Sequence, residues 1–246
     1  MKTFQLITLL GLLTAGLPCN SAHAAESRPI RTLIAGGGSS HDFERWFNQV
    51  DTATLKGAGL ADVKYTENVE SILPALKQLD VLYLSNNKPM TNAALRNAIF
   101  DFADAGGGLL LVHPALWYNW NDWPEYNRLL VSGGSRNHDK YGEFEVTVDD
   151  TAHPIMSGVP KTFKVSDELY HAQKDAQGPS IQILATGRNL TTGKTYPVVW
   201  ITQHPKSRVV CITLGHDGKA HEHPAYKAIL QNSLRWSARK TQPVAK

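Results

Sequence analysis

The chain has 246 residues, with 25 Lys and Arg against 22 Asp and Glu and a formal charge of +3 at neutral pH. A nucleic-acid binder carries a clustered basic face; this sequence has none, so no nucleic-acid partner is expected. Two cysteines in the whole chain exclude a disulfide scaffold, and the length suits one substantial domain held by its core.

Residues 1–24 contain one basic residue, Lys2, then an apolar run from Phe4 to Leu17 and the small-x-small pattern Ala22-His23-Ala24. That is the pattern of a secretory signal peptide, and its apolar run is too short to span a bilayer comfortably. A secreted or periplasmic chain beginning at Ala25 is expected, with residues 25–246 as a single domain. Pro18 before Cys19 argues against a lipoprotein. Cleavage removes Lys2 and Cys19 and leaves Cys211 alone inside the apolar run VVCITL, where a buried structural thiol is expected. No later segment is apolar enough to cross a membrane.

Residues 31–35 read as a first strand ending at Gly36-Gly37-Gly38, and 43–56 as a helix closed by Gly57 and Gly59. A short strand at 62–65 follows, then a helix at 69–79 that Pro74 weakens, then a continuous apolar strand at 80–84. The next helix is the clearest. Thr91 stands as its N-cap, and Leu95, Ala98, Ile99 and Phe102 share one face at i, i+3, i+4 and i+7. After Gly106-Gly107-Gly108 comes a strand at 109–113. Alternating strands and helices predict an α/β fold with a mainly parallel sheet covered on both faces, and buried parallel strands show such unbroken apolar runs. The second half changes character: a short helix at 124–131, a period-two strand at 143–148, strands at 181–185, 198–202 and 208–214, and a final helix at 224–238. There is no internal repeat, low-complexity tract or linker.

Ligands of open α/β sheets bind at the carboxyl ends of the strands. Three predicted strands deliver a histidine there: His41 after the first, His113 at the end of 109–113, and His216 after 208–214. Among ten histidines one or two fall near strand ends by chance, but three at one edge point to a shared site. His221 and His223, before the last helix, read as a solvated helix start, with an extension of the cluster as the alternative. The glycine run before Ser39-Ser40 matches neither GxGxxG nor GxxxxGK[ST], so no nucleotide is expected. In 166–171, strand alternation places Asp167, Leu169 and His171 on one side and Glu168 and Tyr170 on the other. One of the two carboxylates then serves as base or metal ligand, or the segment is an ordinary charged edge strand.

His41, His113 and His216 are also candidate metal ligands, since a catalytic metal takes three protein ligands of these types. No HExxH spacing is present, and a divalent metal stays one option among several. Trp117, Tyr118, Trp120 and Trp123 lack helical spacing and suit either the core or a wall for a sugar, whose apolar faces pack on such rings. Asn119, Asn121 and Asp122 lie between them. The candidate substrate-binding set is His41, Trp117, Tyr118, Trp120, His138 and Tyr170, with a small carbohydrate as partner.

GGGxxHDF at 36–43, GGGLLLVHPA at 106–115, HPI at 153–155, DELYH at 167–171, and TLGHD at 213–217 followed by HPAYKAILQNSLRWSAR at 223–239 together resemble the ThuA-like, trehalose-utilisation family. The resemblance implies a flavodoxin-like three-layer sandwich similar to class I glutamine amidotransferases. It also implies a link to sugar catabolism through 3-keto glycosides. The amidotransferase chemistry does not carry over, because the turn that holds its nucleophilic cysteine reads His113-Pro114-Ala115 here. A keto glycoside instead suits acid/base chemistry by His113, His216, Glu168 and Asp167, histidine having a pKa near working pH. A sugar-binding protein without catalysis and a metal-dependent hydrolase of another substrate are the alternatives.

Overall fold

The computed structural model describes residues 28–240; the expected signal peptide at 1–24 lies outside them. Among these residues eleven strands occur in chain order: β1 (Ile30–Gly37), β2 (Ala61–Thr66), β3 (Val81–Asn86), β4 (Gly108–Val112), β5 (Gly133–Gly134), β6 (Gly142–Val148), β7 (Thr162–Asp167), β8 (Gln173–Lys174), β9 (Ile181–Asn189), β10 (Thr195–Thr202) and β11 (Val209–Ile212). Nine form one sheet in the order β2-β1-β3-β4-β11-β10-β9-β6-β7. The block β2-β1-β3-β4-β11 is parallel throughout, and the remaining four strands extend it antiparallel. The parallel block has the flavodoxin-like order, with its switch point between β1 and β3.

Alternation along the strands builds two cores. In β4, Leu109 and Leu111 face Leu95 and Ile99 of the helix Ala93–Asp104. Leu110 and Val112 face the other way, toward Ile229 and Leu230 of the helix Pro224–Ser237. Strands buried on both faces need the unbroken apolar runs that the sequence shows.

Three local expectations change. Asn92, not Thr91, caps the helix Ala93–Asp104: its Oδ1 accepts from the backbone N–H of Ala94 and Leu95 at 2.9 and 3.3 Å. The helix expected at 69–79 is three single turns, Val69–Ser71, Ile72–Ala75 and Leu76–Gln78, because Pro74 removes a donor from the middle of it. The strand expected at 109–113 stops one residue early, and His113 begins a turn. Among the described residues no helix is long and apolar enough to cross a membrane.

Asp80 ties the amino edge together. Its carboxylate accepts from Arg28 at 2.6 and 2.8 Å, and from the side chain and backbone of Arg31 at 2.9 Å. Partial burial raises its pKa, but the two arginines win and hold it well below the ordinary carboxylate range. A depressed folded-state pKa contributes stability above the unfolded value near pH 4, lost as the pH falls through the folded value. Asp80→Asn is therefore expected to lower the melting temperature at pH 7, with the gap to the parent narrowing below about pH 3. Thermal melts at both pH values check this; a gap that widens in acid contradicts it.

Candidate functional site

Four strands of the parallel block end at one edge. β1 runs on to Gly38-Ser39-Ser40-His41, β3 to Asn87, β4 to His113, and β11 to Thr213-Leu214-Gly215-His216. The loop after β1 can turn in closely because Gly38 has a φ of 137°, and a Cβ there would collide with the Asn87 side chain.

His113 takes a left-handed φ of 47°. That costs a non-glycine residue about 1–3 kcal/mol and persists where the surroundings over-determine it. Here the ring is 0% exposed, stacks on Tyr170 at 4.7 Å between centroids, and has Nδ1 2.5 Å from the Thr213 carbonyl. A carbonyl only accepts, so Nδ1 carries the proton and Nε2 presents a lone pair.

That Nε2 lies 3.0 Å from His41 Nε2, which in turn lies 3.1 Å from His216 Nδ1. Glu168 Oε2 is 3.3 Å from His216 Nδ1 and 3.7 Å from His113 Nε2, and its Oε1 is 3.7 Å from His138 Nε2. One donor atom from each of His41, His113, His216 and Glu168 lies within 4.8 Å of all the others, a set able to hold a metal ion. On the other side of His41, Nδ1 is 2.6 Å from Ser40 Oγ, which accepts from Asn87 Nδ2.

The surroundings split the protonation preferences. Burial, then the neighbouring His216, lowers His41 to about 4. Burial, then His41, holds His113 well below the ordinary imidazole value. Glu168 raises His216 against partial burial, and His216 in turn keeps Glu168 below the ordinary carboxylate value although burial opposes it. The edge thus holds two neutral imidazoles beside an ionised carboxylate and a more basic imidazole.

A cavity of about 250 Å³ opens onto this cluster. His41, Glu168 and His216 line it together with Trp117, His138 and Tyr170. Trp117 stands edge-on to both Tyr170 and His138, at 5.3 and 5.7 Å. A larger groove of about 560 Å³ lies at the opposite, amino edge around Leu76, Phe102 and Gly107. Among the described residues it gathers no comparable cluster of imidazoles and carboxylates, so the smaller cavity is the candidate site.

A family model described as ThuA, trehalose utilisation, matches residues 31–237. The chain belongs to the ThuA family. No curated protein matches it. Among solved structures, a ThuA-like protein from Parabacteroides merdae is 20% identical, with a TM-score of 0.77 over 89% of this chain and 94% of that one. One from Bacteroides uniformis is 22% identical, with a TM-score of 0.72 over 92% and 97%. The glutaminase domain of CTPS from Trypanosoma brucei, with bound acivicin, is 11% identical, with a TM-score of 0.52 over 88% and 96%. These likenesses show the fold: an α/β sandwich around a mainly parallel sheet, of the ThuA and glutamine amidotransferase kind. The family description supports a carbohydrate-related role in general terms.

Against this ThuA frame, several candidate residues are placed differently from expectation. Asp167 is 1% exposed and does not face the cavity. Its carboxylate accepts the backbone N–H groups of Gly215, His216 and Glu168 at 2.8, 3.3 and 2.7 Å. Burial pushes its pKa up to about 7 against the pull of the Gly215 and Glu168 N–H groups. It holds the loop that carries His216, behind the cavity lining, where the catalytic role expected of it has no open approach.

The aromatic run is not one wall. Trp120 packs in the core edge-on to Tyr126 and donates to the Lys88 carbonyl at 2.8 Å. Trp123 stacks edge-on against Phe100, and Tyr118 lies under the Arg136 guanidinium, 3.5 Å from its ring centroid. Only Trp117 of the four reaches the cavity, with Asn119 beside it. Asp122 pairs with Arg96 instead. Cys211 is buried within β11, where burial pushes its thiol well up, far from the setting a nucleophile needs.

The sequence reading missed a second, buried network. Asp51 accepts from Tyr83 and Tyr226 hydroxyls at 2.6 and 3.1 Å and from His221 Nδ1 at 2.8 Å. His221, expected in solvent, is 0% exposed and donates from Nε2 to the Gly215 carbonyl at 3.0 Å. One signal was available: Phe47, Asp51 and Leu55 fall at i, i+4 and i+8, which puts an acid on an apolar helical face.

Proposed function

We propose that this ThuA protein is an exported enzyme of carbohydrate catabolism that removes the proton next to the ketone of a 3-keto glycoside. The observation that carries the reading is the cluster of three imidazoles and one carboxylate beneath a cavity walled by Trp117 and Tyr170. The family description favours a sugar, and the leader-like residues 1–24 favour export. A volume of about 250 Å³ is smaller than the roughly 300–1,000 Å³ of drug-sized sites, which suits one sugar ring with the rest of the glycoside outside. Trp117 offers that ring an apolar face, and Asn87 and Asn119 offer hydroxyl partners.

The chemistry balances without an oxidant. The ketone acidifies the neighbouring C–H; a base in the cavity takes the proton, a carbon–carbon double bond forms, and the glycosidic oxygen leaves with a proton from an acid. The candidate proton carriers that face the cavity are His138 and the Glu168–His216 pair. Well-placed groups of this kind contribute about 10²–10⁴-fold in rate.

The test is incubation with a 3-keto disaccharide in D₂O, followed by proton resonance. Loss of the disaccharide with deuterium entering at the carbon beside the ketone is the expected result. Neither loss nor exchange, with and without added divalent metals, overturns the reading. Saturable sugar binding alone replaces it with a non-catalytic sugar-binding function.

A further inference from the structure

We propose that His41 Nε2, His113 Nε2, His216 Nδ1 and a Glu168 carboxylate oxygen form the binding site of one divalent first-row transition-metal ion. The argument begins with protons. His41 Nε2 faces two nitrogens at once, His113 at 3.0 Å and His216 at 3.1 Å. An imidazole nitrogen has one in-plane position, which holds either a proton or a lone pair.

With a proton there, His41 donates to the His113 lone pair. His216 Nδ1 must then turn a second proton toward that N–H, or turn its own lone pair on the Glu168 carboxylate 3.3 Å away. With a lone pair on His41, the His113 lone pair meets it head-on. The Thr213 carbonyl fixes that lone pair in place by taking the only proton of a neutral His113. Every assignment on neutral rings leaves at least one contact of like against like. One cation among the four donors satisfies them all together.

The spacing agrees. Bonds of about 2.0–2.1 Å to nitrogen and oxygen place neighbouring donors about 3.0 Å apart in octahedral and 3.4 Å in tetrahedral geometry. The contacts around the ring His113–His41–His216–Glu168 are 3.0, 3.1, 3.3 and 3.7 Å. The outer supports are those that metal sites use to orient imidazoles: the Thr213 carbonyl on His113, Ser40 Oγ on His41, and Asp167 on the backbone of His216. Among the described residues the imidazole–carboxylate contacts outside the cavity, His171 with Asp139, His204 with Asp104 and His221 with Asp51, gather no third metal-ligating group. Three imidazoles with one carboxylate favour Zn²⁺ or Fe²⁺ over Mg²⁺ or Ca²⁺, which take oxygen ligands.

Three of the four donors face the cavity while His113 closes the back, so a bound ion meets a ligand oxygen from the cavity side. What the ion would supply there rests on the carbohydrate reading: held by these residues, it would act as a Lewis acid toward a ketone in the cavity. His216 and Glu168 are then ligands, and the proton passes to His138. That ring is disposed for it, because Nδ1 lies 2.7 Å from the Asp139 carbonyl and must donate, leaving Nε2 as the acceptor.

The test uses the full chain without a polyhistidine tag, stripped with a chelator. It is titrated with Zn²⁺ by calorimetry and with Co²⁺ by visible absorption. One ion per chain with ligand-field bands is expected, and His41→Ala/His216→Ala loses affinity by at least about 100-fold. Should that double variant misfold by circular dichroism, Glu168→Gln, with its side chain at the cavity, is expected to shift the Co²⁺ bands. Neither Zn²⁺ heat nor Co²⁺ bands in the parent overturns the site, as does parent-like binding in the folded variants. Turnover of a 3-keto disaccharide that ignores chelation removes the metal and leaves the carbohydrate reading standing. A bound ion with no turnover does the reverse.

Discussion

Glu168→Gln is expected to lower turnover of a 3-keto glycoside by about 10²–10⁴-fold while leaving the melting temperature close to that of the parent. The substitution keeps the shape and removes the charge. Among the described residues Glu168 is the only carboxylate that lines the cavity, and its two oxygens reach His113, His216 and His138 at 3.7, 3.3 and 3.7 Å. Among the described residues its side chain accepts no backbone hydrogen bond, whereas Asp167 next to it accepts three. The neutral amide no longer supports a more basic His216, so that imidazole falls back toward its ordinary value. Initial rates with circular dichroism of the same samples measure both halves. A variant that keeps its rate within threefold removes the cluster from the reaction, whether as acid/base groups or as metal ligands.

Much of the scaffold was legible in the sequence because burial on both faces imposes a pattern. Continuous apolar runs such as Leu109 to Val112 mark central parallel strands, and the residues just past them mark an edge. What the pattern omits is lateral distance. Nothing in the runs says that His41 and His216, 175 residues apart, approach to hydrogen-bond range, nor which ring nitrogen turns inward. That depends on single atoms such as the Thr213 carbonyl. The aromatic run shows the same limit. Trp117 and Trp120 are equivalent in composition, and only the packing of Trp120 against Tyr126 separates a wall from the core. Strand alternation does not reach past Asp167, where β7 ends, yet Glu168 and Tyr170 line the cavity while Asp167 and Leu169 do not.

Asp51→Ala is expected to cost about 3–5 kcal/mol of stability, the range for breaking a buried ion pair by removing one partner. For a domain of this size that lowers the melting temperature by roughly 6–20 °C. Asp51 and His221 are each 0% exposed at the side chain, and Asp51 also accepts two buried tyrosine hydroxyls. His221 places Nδ1 on the Asp51 carboxylate and Nε2 on the Gly215 carbonyl. Both partners only accept, so the ring carries both protons. Burial lowers its pKa, but Asp51 outweighs burial and the net shift is upward. A raised folded-state pKa contributes stability that is fully present below the unfolded value near 6.5 and is lost as the pH rises through the folded value. The gap between parent and Asp51→Ala should therefore be wider at about pH 5.5 than at about pH 9. Because His221 holds the Gly215 carbonyl one residue before His216, the variant should also lose activity at temperatures below its global melt, through opening of that loop. Denaturant titrations at both pH values, with activity followed on the same temperature ramp, decide the matter. A gap under about 1 kcal/mol, the size of an exposed ion pair, or one equal at both pH values, would show that the buried pair contributes nothing of this kind.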